Sequence, residues 1–272
     1  MAESTQYALH RPEFLSEIEC GEQKIAQLMQ GKTRRFARGG ELIEAATEHP
    51  FVYRLLSGWV CRARVLDDGR RQIILIFLPG DMFGVKSMLL MRHTDAVIAL
   101  TNVVVERIHY RDLHDAYLKN ADVASRCLWQ VMEEERRLHN WVVGLGQGDA
   151  MERAAMLVLD IRARLLLSGA LAPNATRFEW PLTQGQLGDY LGLTAVHVNR
   201  VLRRFREENI LTIRAGVLTV YNSELLVRRG YSLLDSYERH SAAYVGGVDT
   251  IPNESRPVEP DDEPRAMRAA RI

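Results

Sequence analysis

The spacing of apolar residues along this chain changes period twice. From Thr33 to Tyr110 apolar residues alternate with polar ones or fall in short runs, as in FVYRLLSG, WVCRARVL and RQIILIFL. Such stretches, rich in Val, Ile, Leu and aromatic residues, predict β-strands. Between the last two lies DDGR, Asp67 to Arg70, where Gly69 suits the positive φ of a tight hairpin. AVIALTNVVVERIHY predicts two further strands, broken near Thr101 and Asn102. Many short strands at this spacing predict a β-barrel-like roll.

From Ala121 the period lengthens to three and four. Ala121, Ala124, Leu128, Val131, Leu138, Val142 and Leu145 form a stripe, with Glu135 filling the gap. A helix from Ala121 to Leu145 is ~37 Å long at about 1.5 Å per residue. A narrow stripe on one long helix, with EEERR outside it, needs an apolar partner, and a second copy of the chain supplies one. The predicted dimer seam is Leu128, Val131, Glu135, Leu138, Val142 and Leu145. GLGQGDA follows a helix rather than a strand, so its glycines predict a hinge and not a phosphate loop. Asp149 then caps a helix from Ala150 to Leu167, whose apolar face includes Ala154, Leu157, Val158, Ile161 and Leu165.

The densest signal is PLTQGQLGDYLGLTAVHVNRVLRRFREENIL. Thr183 is placed to cap a short helix, with Gln186 in the capping-box position. Gly192 permits a sharp turn, and Thr194 caps a second helix running to about Glu208. Leu187 and Leu191 of the first helix face Val198, Val201, Leu202 and Phe205 of the second, which predicts a helix-turn-helix. The second helix then exposes Ala195, Val196, His197, Asn199, Arg200, Arg203 and Arg204. Arg pairs with the O6 and N7 of guanine, and Asn with the N6 and N7 of adenine. Asn199 and Arg200 are therefore expected at base edges, and Arg203 and Arg204 at phosphates. LTIRAGVLTVYN predicts a hairpin wing turning at Ala215 and Gly216, with Arg214 near its tip. Gln184, Thr194, Val196 and His197 complete the expected contact set.

Charge supports a localised contact surface. The chain has 35 Lys+Arg and 35 Asp+Glu, yet residues 151–230 hold 11 cations, all Arg, against 7 carboxylates. No apolar run nears the ~18 residues of a membrane span, so no membrane partner is expected. MAESTQYALHRPEF lacks a basic start followed by an apolar core, which predicts no secretion signal. Cys20, Cys61 and Cys127 form no CxxC, which fits a reducing cytoplasm and predicts no metal site. An enzyme of the cupin-like barrel class would need clustered ligands such as HxH. The strand region offers only His49, His93 and His109, and no Ser-His-Asp set stands out, so no catalysis is expected.

A roll containing LLSGWVCRARVLDDGRRQIILIFLPGDMFG, a long helix and a winged helix-turn-helix, in that order, resemble the CRP/FNR family of bacterial transcription regulators over about Thr33 to Ser223. The resemblance implies an α+β fold: a cyclic-nucleotide-binding-like β-roll, a dimerisation helix and a winged DNA-binding domain. The boundaries expected are 1–32 for an N-terminal segment, 33–118 for the roll, 119–146 for the dimer helix, 147–230 for the winged domain and 231–272 for a helix remnant and disordered tail. It further implies a homodimer on an inverted-repeat operator in double-stranded DNA, a signal sensed in the roll, and RNA polymerase as a partner.

The sequence also departs from the family. Nucleotide-binding members have a Gly-Glu start and an Arg-Ser or Arg-Thr end to their phosphate cassette. Here PGDMFG puts Asp81 in place of Glu, and the end falls on His93 and Thr94. The candidate effector pocket is thus Gly80, Asp81, Phe83, Gly84, His93 and Thr94, without the cation that would neutralise a cyclic phosphate. His93 is expected to be an exposed loop residue. Iron-sulfur members need four Cys ligands and this chain has 3, so no cofactor is expected. In the second helix the family's Glu-x-x-Ser-Arg pattern becomes Val196, His197, Val198, Asn199, Arg200. The Arg is kept, and a methyl-bearing residue replaces the Glu that would read cytosine.

Overall fold

The computed structural model describes residues 14–235, 238–239 and 242–245. The strand-rich region forms a roll of two four-stranded antiparallel sheets. β1 (Thr33–Phe36), β8 (Val103–His109), β3 (Phe51–Ser57) and β6 (Met82–Phe83) make one sheet, in the order β1-β8-β3-β6. β2 (Glu41–Ile43), β7 (Ala96–Ala99), β4 (Val60–Val65) and β5 (Arg71–Phe77) make the other, in the order β2-β7-β4-β5. The period-two pattern turns Tyr53, Leu55, Val60, Leu75, Phe77, Phe83, Val97 and Val105 into one buried core between the sheets. The DDGR turn joins β4 to β5 as the sequence predicts, with Gly69 at φ 85°.

The segment before the roll is helical, which the sequence pattern did not indicate. α1 (Leu15–Met29) buries Ile18, Ile25 and Met29 and packs along the long helix. α2 (Tyr110–Lys119) then precedes that helix, α3 (Ala121–Gln147). One face of α3, with Val123, Cys127, Glu134, Trp141 and Gly144, is buried against its own chain. On another face Leu128, Val131, Glu135, Val142 and Leu145 are exposed, Val142 by 66%. Leu138 departs from the expected seam. It is half-buried and packs against the core of the roll.

α4 (Ala150–Leu167) opens on a full capping box, with Asp149 accepting from Glu152 N at 2.8 Å and Glu152 reaching back to Asp149 N. The C-terminal domain comprises α4, α5 (Gln184–Leu191), α6 (Ala195–Glu207) and α7 (Ser223–Gly230). Its sheet runs β10 (Leu211–Arg214), β11 (Val217–Val220), β9 (Arg177–Glu179). β9 turns the expected two-stranded wing into three strands. A last helix, α8 (Ala242–Val245), lies on α4. The rest of the expected tail, 246–272, lies outside the described residues. Among the described residues no helix is long and apolar enough to cross a membrane.

The roll and the C-terminal domain are not separate. One apolar cluster runs from Trp59, Ile73 and Ile76 of the roll through Trp141 to Trp180, Leu187 and Phe205. Trp141 meets Tyr190 at 4.3 Å between ring centroids, and Trp59 meets Trp180 edge-on at 6.1 Å.

Candidate nucleic-acid interface

The helix-turn-helix assembles from local signals. Thr183 and Gln186 exchange capping bonds of 3.2 and 2.9 Å at the start of α5. The chain reverses at Gly192, which takes φ 64°, a region costly for any residue with a Cβ. Thr194 then accepts from His197 N at 3.4 Å and starts α6. Val198, Val201 and Phe205, with the half-buried Leu202, pack one face of α6 against the core and leave the opposite face to solvent. Val196, His197, Asn199 and Arg200 lie exposed there, Val196 by 68%.

Charge on that face is not uniform. Arg203 donates to Glu207 at 2.7 Å and Arg204 to Glu208 at 2.8 Å, both at i,i+4 spacing. Glu208 also takes Arg229 at 2.7 Å, and its carboxyl is held below the usual range, first by the Arg204 hydrogen bond. Among the described residues no hydrogen bond or ion pair holds the side chains of Asn199, Arg200, Arg206 or Arg214. Gln184, Asn199, Arg206, Thr212 and Arg214 line a cleft of about 110 Å³ between α5, α6 and the wing. The structure therefore gathers Gln184, Asn199 and Arg214, and leaves Arg203 and Arg204 on a flank already paired with carboxylates. Arg206, outside the expected contact set, lines the same cleft. Its position seven residues after Asn199 is the signal, since residues two helical turns apart share a face.

Of the six residues of the expected effector pocket, Gly80 and Asp81 line a cavity with α3 and α4, whereas Gly84 and His93 both meet Ser87. Asp81 accepts from Leu78 N at 2.7 Å and is ion-paired with Arg164 of α4, with Arg137 at 3.8 Å. Burial alone would raise its carboxyl, and the two guanidinium groups outweigh burial and hold it below the usual range. With Gly80 it lines a cavity shared with α3 and α4. Phe83 stacks on Tyr53 at 5.2 Å within the core. Gly84 turns, at φ 81°, into a short 3-10 helix whose first residue is the buried Val85. Thr94 is exposed and donates to Asp95. His93 is buried rather than exposed, because Ser87 Oγ meets its Nε2 at 2.7 Å under a loop closed by the Glu48–Arg92 bridge. Burial, then the nearby Arg62 and Lys86, lower its pKa.

Comparison with known proteins agrees with this arrangement. Residues 33–120 match the cyclic nucleotide-binding domain model, and residues 152–229 match the Crp-like helix-turn-helix domain model. The fumarate and nitrate reduction regulatory protein of Vibrio cholerae is 28% identical over 222 residues, covering 81% of this chain and 86% of that protein. The protein of the same description from Yersinia pestis is 27% identical over 191 residues, 70% of this chain and 75% of the other. Among solved structures, FixK2 from Bradyrhizobium japonicum superposes with a TM-score of 0.65 at 28% identity, covering 72% of this chain and 95% of that one. The chain belongs to the CRP/FNR family. Its relatives are transcription regulators and not enzymes, and the order of roll, long helix and winged helix-turn-helix is that of a family regulator.

Two ligand types tied to the family can be tested on this chain's residues. A cyclic phosphate needs a cation inside the roll. There Arg62 of β4 meets Glu134 of α3 at 2.9 Å, with their side chains only 8% and 7% exposed, so its charge is already matched. With Phe77, Phe83 and Tyr53 filling the space between the sheets, the residues do not fit a nucleotide. An iron-sulfur cluster needs four thiolates, and the chain has 3 cysteines. Cys61 and Cys127 are buried, and burial pushes their thiols up to about 12 and about 11, opposite to the shift a thiolate ligand needs. That donor set does not fit a cluster either.

Proposed function

We propose that this regulator acts in the cytoplasm as a homodimer on an inverted-repeat operator, with one α6 of each protomer in successive major grooves. The observation that carries the reading is the free face of α6. Asn199 and Arg200 are exposed and unpaired on a helix locked by its opposite face, with Arg206 and Arg214 framing the cleft beside them. Val196, His197, Asn199 and Arg200 then reach base edges, and Gln184, Thr194, Arg206 and Arg214 meet phosphates. Arg203 and Arg204 would have to exchange Glu207 and Glu208 for phosphate, which lowers their net gain. The exposed Leu128, Val131, Val142 and Leu145 supply the apolar surface for the second copy. Two copies joined there put their half-sites about 34 Å apart on DNA. A signal acting on the roll would reach α6 through the shared core, and RNA polymerase is the partner through which occupancy changes transcription. Gel retardation on promoter fragments, at several salt concentrations, tests the reading. Specific binding with a steep salt dependence is expected.

A further inference from the structure

The turn Leu78–Asp81 of the roll, one flank of α3 and the C-terminal end of α4 enclose a cavity of about 80 Å³. A water needs roughly 10–15 Å³, so this space holds several waters or one small anion and is too small for a nucleotide. Arg126, Arg136, Arg137 and Arg164 line it together with Asp81 and Glu133. Three of these guanidinium groups are anchored. Arg126 donates to Glu22 at 2.7 Å, Arg136 to Asp235 at 2.8 Å and Glu238 at 3.0 Å, and Arg164 pairs with Asp81 and Asp160.

Arg137 differs. Its Nη2 lies 3.8 Å from Asp81 and 3.8 Å from Glu133, beyond hydrogen-bond length, and its Nε and Nη1 are buried without a partner among the described residues. Gln130, 4% exposed, accepts from Arg126 at 3.3 Å through Oε1, and its Nε2 is likewise buried and unmet. Every orphaned side-chain atom of these lining residues is thus a donor, and two of the three belong to Arg137, which also lines an adjoining cavity of about 20 Å³. Buried donors left unmet are costly, and a cationic set of them is complemented by an anionic acceptor. We propose that this junction binds a small oxyanion, of the class of phosphate, sulfate or a short carboxylate, held by Arg137 and Gln130.

The site touches the roll, the helix that carries the dimer stripe and the helix that leads to the DNA-binding face. Its occupancy therefore ties these three parts together. Only that regulatory consequence rests on the reading of the chain as a DNA-binding regulator.

The test uses the full chain. Phosphate, sulfate and acetate are each titrated against chloride at matched ionic strength, with Tm as the readout and calorimetric titration for phosphate. At least one oxyanion is expected to raise Tm saturably. Arg137→Gln and Gln130→Met should each weaken half-saturation about tenfold or more, the loss of one charge-assisted hydrogen bond. Arg200→Ala, which removes a cation from the DNA face, should leave the response in place. If Arg137→Gln does not fold, Gln130→Met carries the test, because it removes a donor without removing a charge. No saturable response beyond chloride, or an unchanged response in the foldable variants, overturns the proposal. Gel retardation with the same wild-type sample tests the regulator reading separately, and its failure would leave the anion result standing.

Discussion

Arg71 of β5 donates through Nε to Asp189 of α5 at 2.7 Å, and the neighbouring Gln72 donates to the carbonyl of Tyr190 at 3.1 Å. These bonds fasten the first helix of the helix-turn-helix to the tip of the roll. The pair is partly exposed, with side chains 37% and 27% accessible, so its worth in stability is small. Asp189→Asn is expected to lower global stability by at most about 1 kcal/mol. It should raise amide hydrogen exchange in α5 more than in α4. Equal protection of α5 in variant and wild type would show that the apolar contacts alone hold the domain.

The Arg62–Glu134 pair behaves differently because both partners are buried. Glu134→Ala leaves a guanidinium without compensation inside the roll, and a loss of about 3–5 kcal/mol is expected in denaturant unfolding. The double variant Arg62→Met, Glu134→Leu should recover most of that loss, since it removes the charge as well as its partner. A double variant no better than Glu134→Ala would mean that the pair is not a closed unit.

Two histidines of the roll set an acid limit. Burial and the neighbouring His93 lower His49 to about 4, and His93 is lowered in the same direction. Each is a base whose folded pKa lies below its unfolded value near 6.5. The contribution of His49 is therefore present above about pH 6.5 and lost as pH falls toward 4, and that of His93 is lost in the same direction. For His49 the gap corresponds to at most about 3 kcal/mol. His49→Gln should flatten the stability curve between pH 6.5 and 4 relative to wild type. Parallel curves would contradict the assignment.

The apolar stripe on α3 predicts association. Val142→Lys places a charge on a residue that its own chain leaves 66% exposed, so the protomer should fold normally and sediment as a monomer, with wild type expected as a dimer. Leu138→Lys is a poorer probe, because Leu138 packs on the core of the roll and its loss should lower Tm first. A Val142→Lys protein that remains dimeric would remove this face from the account.

Much of this was legible in local chemistry. The capping box at Thr183, the N-cap at Asp149, the turns at Gly69 and Gly192 and the change of hydrophobic period each depend on neighbours within a few residues, and each is present in the structure, whereas Gly144 and Gly146 of the expected hinge lie inside α3. What was not legible depends on distant partners. α1 shows as a helix mainly through its packing on α3, and its polar stretch ECGEQK gives little periodic signal. The pairing of Asp81 with Arg164 gives no local signal, because the two lie 83 residues apart. His93 looked like a loop residue because the groups that cover it, Ser87 and His49, are placed by the roll and not by spacing. The ion pairs of Arg203 and Arg204 with Glu207 and Glu208 are local as well, at a spacing of four residues.

In the proposed complex, two copies of α6 read DNA through Arg200 at a fixed separation. Selection of bound duplexes from a random pool, with wild type and Arg200→Ala side by side, addresses it most directly. Wild type should enrich an inverted repeat whose half-sites are about 34 Å apart. Arg200→Ala should bind that repeat about 1–3 kcal/mol more weakly and lose its preference at one position in each half-site. Enrichment of no repeat, or of the same sequence with the same stringency by the variant, would contradict the account.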